Sequence, residues 1–360
     1  MMRNFSILLS ICCIVACRAS NKEFQVIQVS GTDPTEITLS QIANTIEKVQ
    51  LETRKESFIG NVSDILTFRD YILTIDKVAG VLVFDKTGRF LQIVGSKGDG
   101  PGQYASVIYH AAIDKEKGLI YLASGNKLLV FSDTFSFLKE KKFPFLIQYL
   151  FVNQGNLHAL SKDLGKPHED GIISTTQIFK LDPNLEIMDN VVFRKKISKK
   201  GTIAGYAFKH FYSDDLGGQF FYLPELTSEG FLRDTLYQMN EEKFLPFAKL
   251  AFDVPVSIDE RGFQSVLLLN IFKSKSYIFA EFDLDFQRHI FLYNLITKKG
   301  FTVKEGFTLE SGNKVTLRPL DPSKDTYYYI EESEFQDAKT EEKNPIIGIV
   351  ELKKNLVCCE

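Results

Sequence analysis

A repeat of about 50 residues constrains the fold more than any other feature of this chain. Each copy is a short apolar stretch with an aromatic residue that closes on a polar residue. The copies close at Asp85, Asp133, Asp182, Asn240 and Asn294, with a weaker copy over residues 347–353. A second apolar stretch precedes each copy, as at residues 72–76 and 327–331. Six such units, each with about four short strands, are typical of a β-propeller.

The two ends of the chain predict how the ring closes. A strand pattern at residues 46–52 precedes the first full unit, whereas the last unit lacks one strand. Because an N-terminal strand that completes the last blade would remove two sheet edges, we expect this pairing. The sequence therefore predicts an all-β fold, a six-bladed β-propeller of four-stranded blades over residues 46–357, closed by the N-terminal strand joining the last blade.

The first 17 residues have the pattern of an export signal. Arg3 is followed by an apolar run over residues 5–16 and then by Cys17. A cation, an apolar segment and a small residue before the cut are the parts of a secretory signal, and a cysteine after the cut is its lipoprotein variant. We predict a signal peptide over 1–16 and a lipidated Cys17 with a tether over 17–45. No later apolar stretch approaches the roughly 20 residues of a membrane span, so the lipid would be the only membrane contact.

Charge and cysteine content argue against a nucleic-acid-binding protein and against a fold stabilised by disulfides. The 43 basic and 46 acidic residues nearly balance, which argues against a nucleic-acid partner. Beyond Cys17 only Cys358 and Cys359 remain, and adjacent cysteines cannot link distant strands. We predict an exposed tail over 358–360, with a metal pair or a link to another chain as the alternatives. The fold must then be stabilised by its core.

Three stretches resemble the six-bladed β-propeller lipoproteins of the Bacteroides group of bacteria. They are the segment 14–17, the strand 49–53 with 58–62, and the hairpin 83–91 with the glycine-rich link 95–104. Gln103 stands where that family usually has Glu. The resemblance is sharp over residues 46–133 and implies a propeller located in the cell envelope, without implying catalytic residues.

The resemblance also bears on which side of the membrane the protein faces. Many surface lipoproteins of that group carry an acidic run after the lipidated cysteine. Here Arg18 and Lys22 follow Cys17 instead. We therefore favour a periplasm-facing lipoprotein over one at the cell surface.

Loop lengths indicate which face of the ring carries function. In a four-stranded blade, the loop between the second and third strands and the link to the next blade emerge on one face. Long insertions fall on that face, at 162–174, 225–233 and 331–344, whereas turns on the other face, such as 85–88, are short. Because binding usually resides in loops on a rigid scaffold, we predict that the loop-rich face is the functional one.

Single polar residues on that face or on the innermost strands are the candidate ligand contacts. They are Lys97, Asp99, His110, His168, Arg194, His210, Arg233 and Arg261. Each also has a structural interpretation. The link around Lys97 has no helix that could bind phosphate, the two inner-strand histidines could be packing residues, and the arginines could serve solubility. His168, with Glu169 and Asp170, could bind a metal or a substrate.

Glu281, Asp283 and Asp285 are weak metal candidates. Alternation places their carboxylates on one side of an extended chain, which would suit calcium. The spacing lacks the glycine and the closing Glu of a calcium loop. We predict no cofactor, with calcium as the alternative.

No motif of a familiar enzyme class is present. We predict a non-catalytic binding module for a protein partner or a glycan that uses the loop-rich face. The alternatives are a metal-assisted hydrolase or lyase acting on a sugar or lactone in the central funnel, and a purely structural scaffold. Propeller active sites draw single residues from several blades, so converging buried charges in the channel would favour the enzyme.

Overall fold

The sheets of the molecule are arranged in a ring. The computed structural model describes residues 24–105, 107–163, 165–198, 210–215, 218–225, 231–240, 243–258, 260, 264–332, 342–354 and 356. Within these residues six small antiparallel sheets form the ring, which confirms the predicted six-bladed β-propeller. No helix of this described part is long and apolar enough to cross a membrane.

The elements follow one another blade by blade. The chain starts with β1 (Gln25–Val29), α1 (Leu39–Ile42) and β2 (Ala43–Gln50). Blade 1 contains β3 (Val62–Phe68), β4 (Tyr71–Asp76), β5 (Gly80–Asp85) and β6 (Phe90–Val94). The link to blade 2 carries β7 (Ser96–Lys97) and β8 (Gln103–Tyr104). Blade 2 contains β9 (His110–Asp114), β10 (Leu119–Ser124), β11 (Lys127–Ser132) and β12 (Phe137–Lys142).

The second half of the ring continues in the same order. Blade 3 contains β13 (Tyr149–Asn153), β14 (Asn156–Lys162), β15 (Lys166–His168), β16 (Gly171–Leu181) and β17 (Ile187–Ser198). Blade 4 contains β18 (Tyr212–Asp215), β19 (Gly218–Phe221), β20 (Thr235–Asn240) and β21 (Lys243–Phe252). Blade 5 contains β22 (Val266–Lys273), β23 (Tyr277–Leu284), β24 (Gln287–Asn294) and β25 (Gly300–Lys304). After β26 (Phe307–Thr308) and β27 (Lys314–Val315), blade 6 contains β28 (Arg318–Asp321), β29 (Thr326–Glu331) and β30 (Ile346–Leu352).

The core lies between neighbouring blades. The middle strands are apolar without interruption because other blades cover both of their faces. In β5, the side chains of Val81, Leu82, Val83 and Phe84 are all fully buried. Burial of one such side chain contributes about 1.5–3 kcal/mol. This packing fixes the blades rigidly enough to position side chains around the central axis.

The N-terminal strand closes the ring as predicted. Strand β2 pairs antiparallel with β30 and is the outermost strand of blade 6. Asn344, which is 1% exposed, strengthens this closure. Its side chain accepts a hydrogen bond from the Ile59 backbone N–H at 2.9 Å and donates to the carbonyl oxygens of Glu52 and Ser57, each at 2.8 Å. One amide therefore joins the last blade to the chain that enters the first.

Residues 25–45 are part of the fold, so the predicted extent of the tether to residue 45 is wrong. Strand β1 is a fifth strand of blade 4, parallel to β21, and it buries Ile27 and Val29. Asp253 then accepts hydrogen bonds from the Ser30 hydroxyl and the Gly31 N–H. Burial alternates along β1, with Ile27 and Val29 buried and Val26 and Gln28 exposed, because one face of the strand packs against the core. We call residues 25–50 the N-terminal strap.

Candidate functional site at the loop-rich mouth of the channel

A cavity of about 590 Å³ opens on the loop-rich face between blades 5, 6 and 1. It lies where the links between blades meet the loops between second and third strands. Its charged lining residues have both signs: Lys77, Arg288, Arg318, Lys343, Glu332 and Glu342. The predicted functional face therefore contains a concave site, which is where ligands of this size usually bind.

Arg318 opens the innermost strand of blade 6 and forms a buried ion pair with Glu281 on β23. The guanidinium donates to the two carboxylate oxygens at 2.5 and 3.0 Å, and both residues are 4% exposed. Arg288 donates to the same carboxylate and, through Nε at 2.6 Å, to Asp283. The pairs fix both guanidinium groups at the cavity wall.

These ion pairs do not fit the calcium site considered for Glu281, Asp283 and Asp285. The first two carboxylates are already neutralised by arginines, so they are not arranged as free oxygen ligands for a cation. Asp285 lies in an exposed turn at a φ of 50°. The three carboxylates do alternate along the chain. However, the register of β23 and β24 places Arg288 opposite Asp283, so an arginine occupies the position beside this carboxylate.

Asp64, on the innermost strand of blade 1, lies behind this cavity. Tyr328, which lines the cavity, donates its hydroxyl to Asp64 Oδ1 at 3.1 Å, and the Ile65 N–H donates at 2.8 Å. Burial raises the pKa of Asp64 to about 7, although these hydrogen bonds and Arg318 act in the opposite direction. A carboxyl group with this pKa can hold or release a proton near neutral pH.

His110 is a basic group beside Asp64. It is the first residue of β9, and its Nδ1 accepts a hydrogen bond from the Leu150 N–H at 3.3 Å. The other nitrogen, Nε2, lies 3.7 Å from Asp64 Oδ2. The imidazole ring packs on Tyr149 with 4.0 Å between ring centroids. The structure thus brings one predicted histidine into the channel beside a carboxyl group.

His210 lies two residues before β18 and is 6% exposed. Its Nε2 has no hydrogen-bond partner among the described residues. Burial and, secondarily, the charge of Arg318 lower the pKa of His210 to about 3, so the imidazole is neutral. Innermost strands or their starts in blades 1, 2, 4 and 6 therefore contribute Asp64, His110, His210 and Arg318 to one polar channel mouth.

Two of the predicted arginines, Arg194 and Arg233, lie near each other on the loop-rich face of blades 3 and 4, away from the channel mouth. Arg194 donates to Glu225 at 3.3 Å and to the Leu223 carbonyl at 3.1 Å. Glu225 also binds Lys162 at 2.9 Å. Burial and then the nearby Arg233 lower the pKa of Arg194. Arg233 itself stacks on Phe231 at 4.8 Å.

The remaining candidates do not join the channel mouth. Lys97 and Asp99 are exposed on the link between blades 1 and 2. His168 is at the tip of an exposed hairpin, where its ligand atoms and those of Glu169 and Asp170 lie within 4.8 Å of one another. Arg261, Cys17, Cys358 and Cys359 lie outside the described residues.

Sequence reasoning missed Asp64, Tyr328 and Arg318. Asp64 interrupts an apolar strand pattern, and Arg318 precedes a proline at the start of another. A charged residue inside an innermost strand is the signal that could have indicated them, because such a strand faces the channel. Tyr328 gave no signal, since it lies within a run of three tyrosines on a buried strand.

The model of the domain of unknown function DUF4934 matches residues 24–356. The chain belongs to the DUF4934 family. This membership and the fold confirm the resemblance to the propeller family of the Bacteroides group. No curated protein matches the DUF4934 chain.

Among the similar solved structures, one supports the fold and two are more distant. A protein of Bacteroides fragilis, described as a candidate exported protein, is 20% identical with a TM-score of 0.68 and covers 92% of this chain and 100% of that chain. The Cps50 propeller domain of Myceliophteria thermophila is 10% identical with a TM-score of 0.44, covering 82% and 99%. A protein of unknown function from Bacteroides caccae is 12% identical with a TM-score of 0.39, covering 81% and 88%. Only the first of these is similar enough to support the fold.

Proposed function

We propose that this DUF4934 protein is an envelope lipoprotein, anchored through Cys17, that binds a glycan in the cavity on its loop-rich face. The N-terminal signal pattern supports the anchor. The description of the similar Bacteroides fragilis protein as a candidate exported protein supports the envelope location.

The mixed polar lining of the cavity, which carries charges of both signs, is the observation on which this proposal rests. Lys77 and Lys343 face the cavity together with Glu332 and Glu342, so a ligand of strong single charge would meet groups of its own sign. Sugar hydroxyl groups both donate and accept hydrogen bonds, and therefore suit a mixed lining. A volume of about 590 Å³ is within the usual range for small ligands.

Tyr328 and several aliphatic residues give the cavity an apolar portion. Ile59, Ile330 and Pro345 also line it. The C–H face of a sugar ring can pack on such groups while its hydroxyls reach the charged ones. Because Arg318 and Arg288 are held by Glu281, they donate from fixed positions, which reduces the entropy lost on binding.

The test uses a variant that fills the cavity. Gly60 lines it, and a Cβ there would meet only Val78, at 3.7 Å. Wild-type protein is first screened on an array of neutral and acidic oligosaccharides, and the hits are titrated calorimetrically. Gly60→Phe should weaken binding at least tenfold. The control Ile296→Phe, at an exposed turn on the opposite face, should leave it unchanged. A silent array, or equal affinity of both variants, would overturn the proposal.

A second candidate function, a hydrolase or lyase, is favoured by the pairing of Asp64 with His110. A buried carboxyl group whose pKa lies near 7, beside an imidazole, can act as a general acid or base. The ion pairs of Glu281 disfavour calcium assistance. If a bound glycan is cleaved, mass spectrometry will detect shorter products, and Asp64→Asn should abolish them while preserving binding. Binding without products in wild type would exclude this alternative.

A further inference from the structure

A second cavity lies on the opposite face, between blades 3 and 4. Its volume is about 380 Å³, and it shares no lining residue with the cavity on the loop-rich face. Its wall carries five amide side chains: Asn153, Gln154, Asn156, Asn190 and Gln219. Each amide offers two N–H donors and one acceptor oxygen. Such a wall is suited to a neutral ligand with many hydroxyl groups.

The floor of this cavity is apolar. Ile178 and Met239 are buried beneath it, and Phe244 forms one side. Met239 and Phe244 are cross-strand neighbours in blade 4, so their surface is continuous. An apolar floor under a polar wall matches a sugar ring, which has a C–H face and a hydroxyl edge.

His158 supplies a fixed acceptor. Its Nδ1 lies 3.1 Å from the Asn156 carbonyl oxygen, so Nδ1 carries the proton and Nε2 has the lone pair. The ring stacks on Phe151, with 4.8 Å between centroids and 9° between planes. Burial, and to a smaller extent Lys180, lower the pKa of His158 to about 4. The imidazole therefore stays neutral and accepts at physiological pH.

Asn153 is a second acceptor, and its hydrogen bonding is incomplete. The residue is 7% exposed and lines the cavity, and its Oδ1 has no hydrogen-bond partner among the described residues. An unmet buried acceptor costs about 1–3 kcal/mol. Because the terminal torsion of an asparagine is broad, the amide of this cavity-lining residue can rotate to present its oxygen to a ligand. A ligand hydroxyl would satisfy it.

We infer that this cavity binds one neutral pyranose unit, whose hydroxyls donate to Asn153 Oδ1 and His158 Nε2 while its C–H face packs on Phe244. Lys180 and Asp189, which are cross-strand neighbours, bring opposite charges to the rim and favour a ligand without net charge. The cavity is near the lower limit for ligand sites, about 300 Å³, which suits a single ring better than an oligosaccharide.

The experiment uses saturation-transfer NMR with three probes: methyl α-glucoside, methyl α-galactoside and N-acetylglucosamine. We expect saturation transfer to at least one of them, and at least a tenfold loss of affinity in both His158→Phe and Gln219→Leu. The phenylalanine preserves the stacked ring but removes the acceptor. Gln219 is more exposed than His158, so Gln219→Leu provides the test if the His158→Phe variant does not fold. Asn184→Ala, an exposed turn on the same face, is the control.

The outcome is independent of the proposed function. Gly60→Phe, which fills the other cavity, should leave pyranoside binding unchanged. Absence of transfer from all three probes, or equal affinity in wild type and Gln219→Leu, would overturn the inference. Binding that Gly60→Phe abolishes would assign the sugar to the loop-rich face and would likewise overturn it.

Discussion

Tyr328 in the last blade donates its hydroxyl to Asp64 in the first blade at 3.1 Å, across 264 positions of sequence. The bond crosses the seam at which the ring closes. It also connects the cavity on the loop-rich face, which Tyr328 lines, with the carboxyl group beside His110. Closure of the ring therefore also brings together the residues of the channel mouth.

Asp64 should make the protein less stable as pH rises towards neutrality. Its folded pKa of about 7 is above its ordinary value of 3.8, so the stability it contributes is fully present below pH 3.8 and is lost as pH rises through 7. The loss approaches about 1.4 kcal/mol per pH unit between these values. Urea unfolding of wild type and Asp64→Asn should show this difference in slope. Parallel pH profiles would contradict the assignment.

His210 should act with the opposite sign. Its folded pKa of about 3 is below its ordinary value of 6.5, so its contribution is present above pH 6.5 and is lost as pH falls towards 3. In His210→Gln, unfolding free energy should fall less steeply on acidification, by up to about 1.4 kcal/mol per pH unit. The exposed His168→Gln is the control and should follow wild type. An identical effect of both substitutions would refute burial as the cause.

Removing the charge of Glu281 should be costly. Glu281→Gln leaves the buried guanidinium of Arg318 with a neutral partner, and such a change destabilises by about 3–5 kcal/mol. The pair of the exposed Glu305 with the half-buried Lys314 provides the comparison, and Glu305→Gln should cost less than about 1 kcal/mol. Denaturant titration measures both. Added calcium should not shift the wild-type midpoint; a stabilisation by calcium that Glu281→Gln abolishes would favour the metal site instead.

Asp253→Ala should loosen the N-terminal strap locally. The substitution removes the acceptor for the Ser30 hydroxyl and the Gly31 N–H, at a cost of about 1 kcal/mol. Hydrogen–deuterium exchange should therefore become faster in β1 while β2 keeps its protection. Uniformly faster exchange in both strands would show that the strap opens as one unit.

The fold could be predicted from the sequence because the middle strand of each blade is buried on both faces, which leaves a repeating apolar pattern. The pairing of β2 with β30 followed from counting strands, since an unpaired edge is unfavourable. Strand β1 was missed because its five residues alternate weakly and their partner, β21, lies more than 200 positions away. No local pattern reports such a distant parallel pairing.

The residues of the channel mouth could be predicted from the sequence only in part. His110 and His210 were named because they belong to innermost strand patterns. Their partners depend on which blades meet across the axis, and strand spacing does not encode this. Glu281 and Asp283 have the spacing of a cation site, but the arginines that neutralise them come from β24 and from the next blade.

The N-terminal strap has a consequence for the order of events during synthesis. Strand β1 must wait for blade 4, and β2 must wait until β30 has left the ribosome. Through that interval the earliest residues carry apolar groups without their final neighbours, a condition that exposes a chain to aggregation. A polypeptide cut short before β30 would leave an open crescent, and cellular quality control would encounter it as an incomplete product.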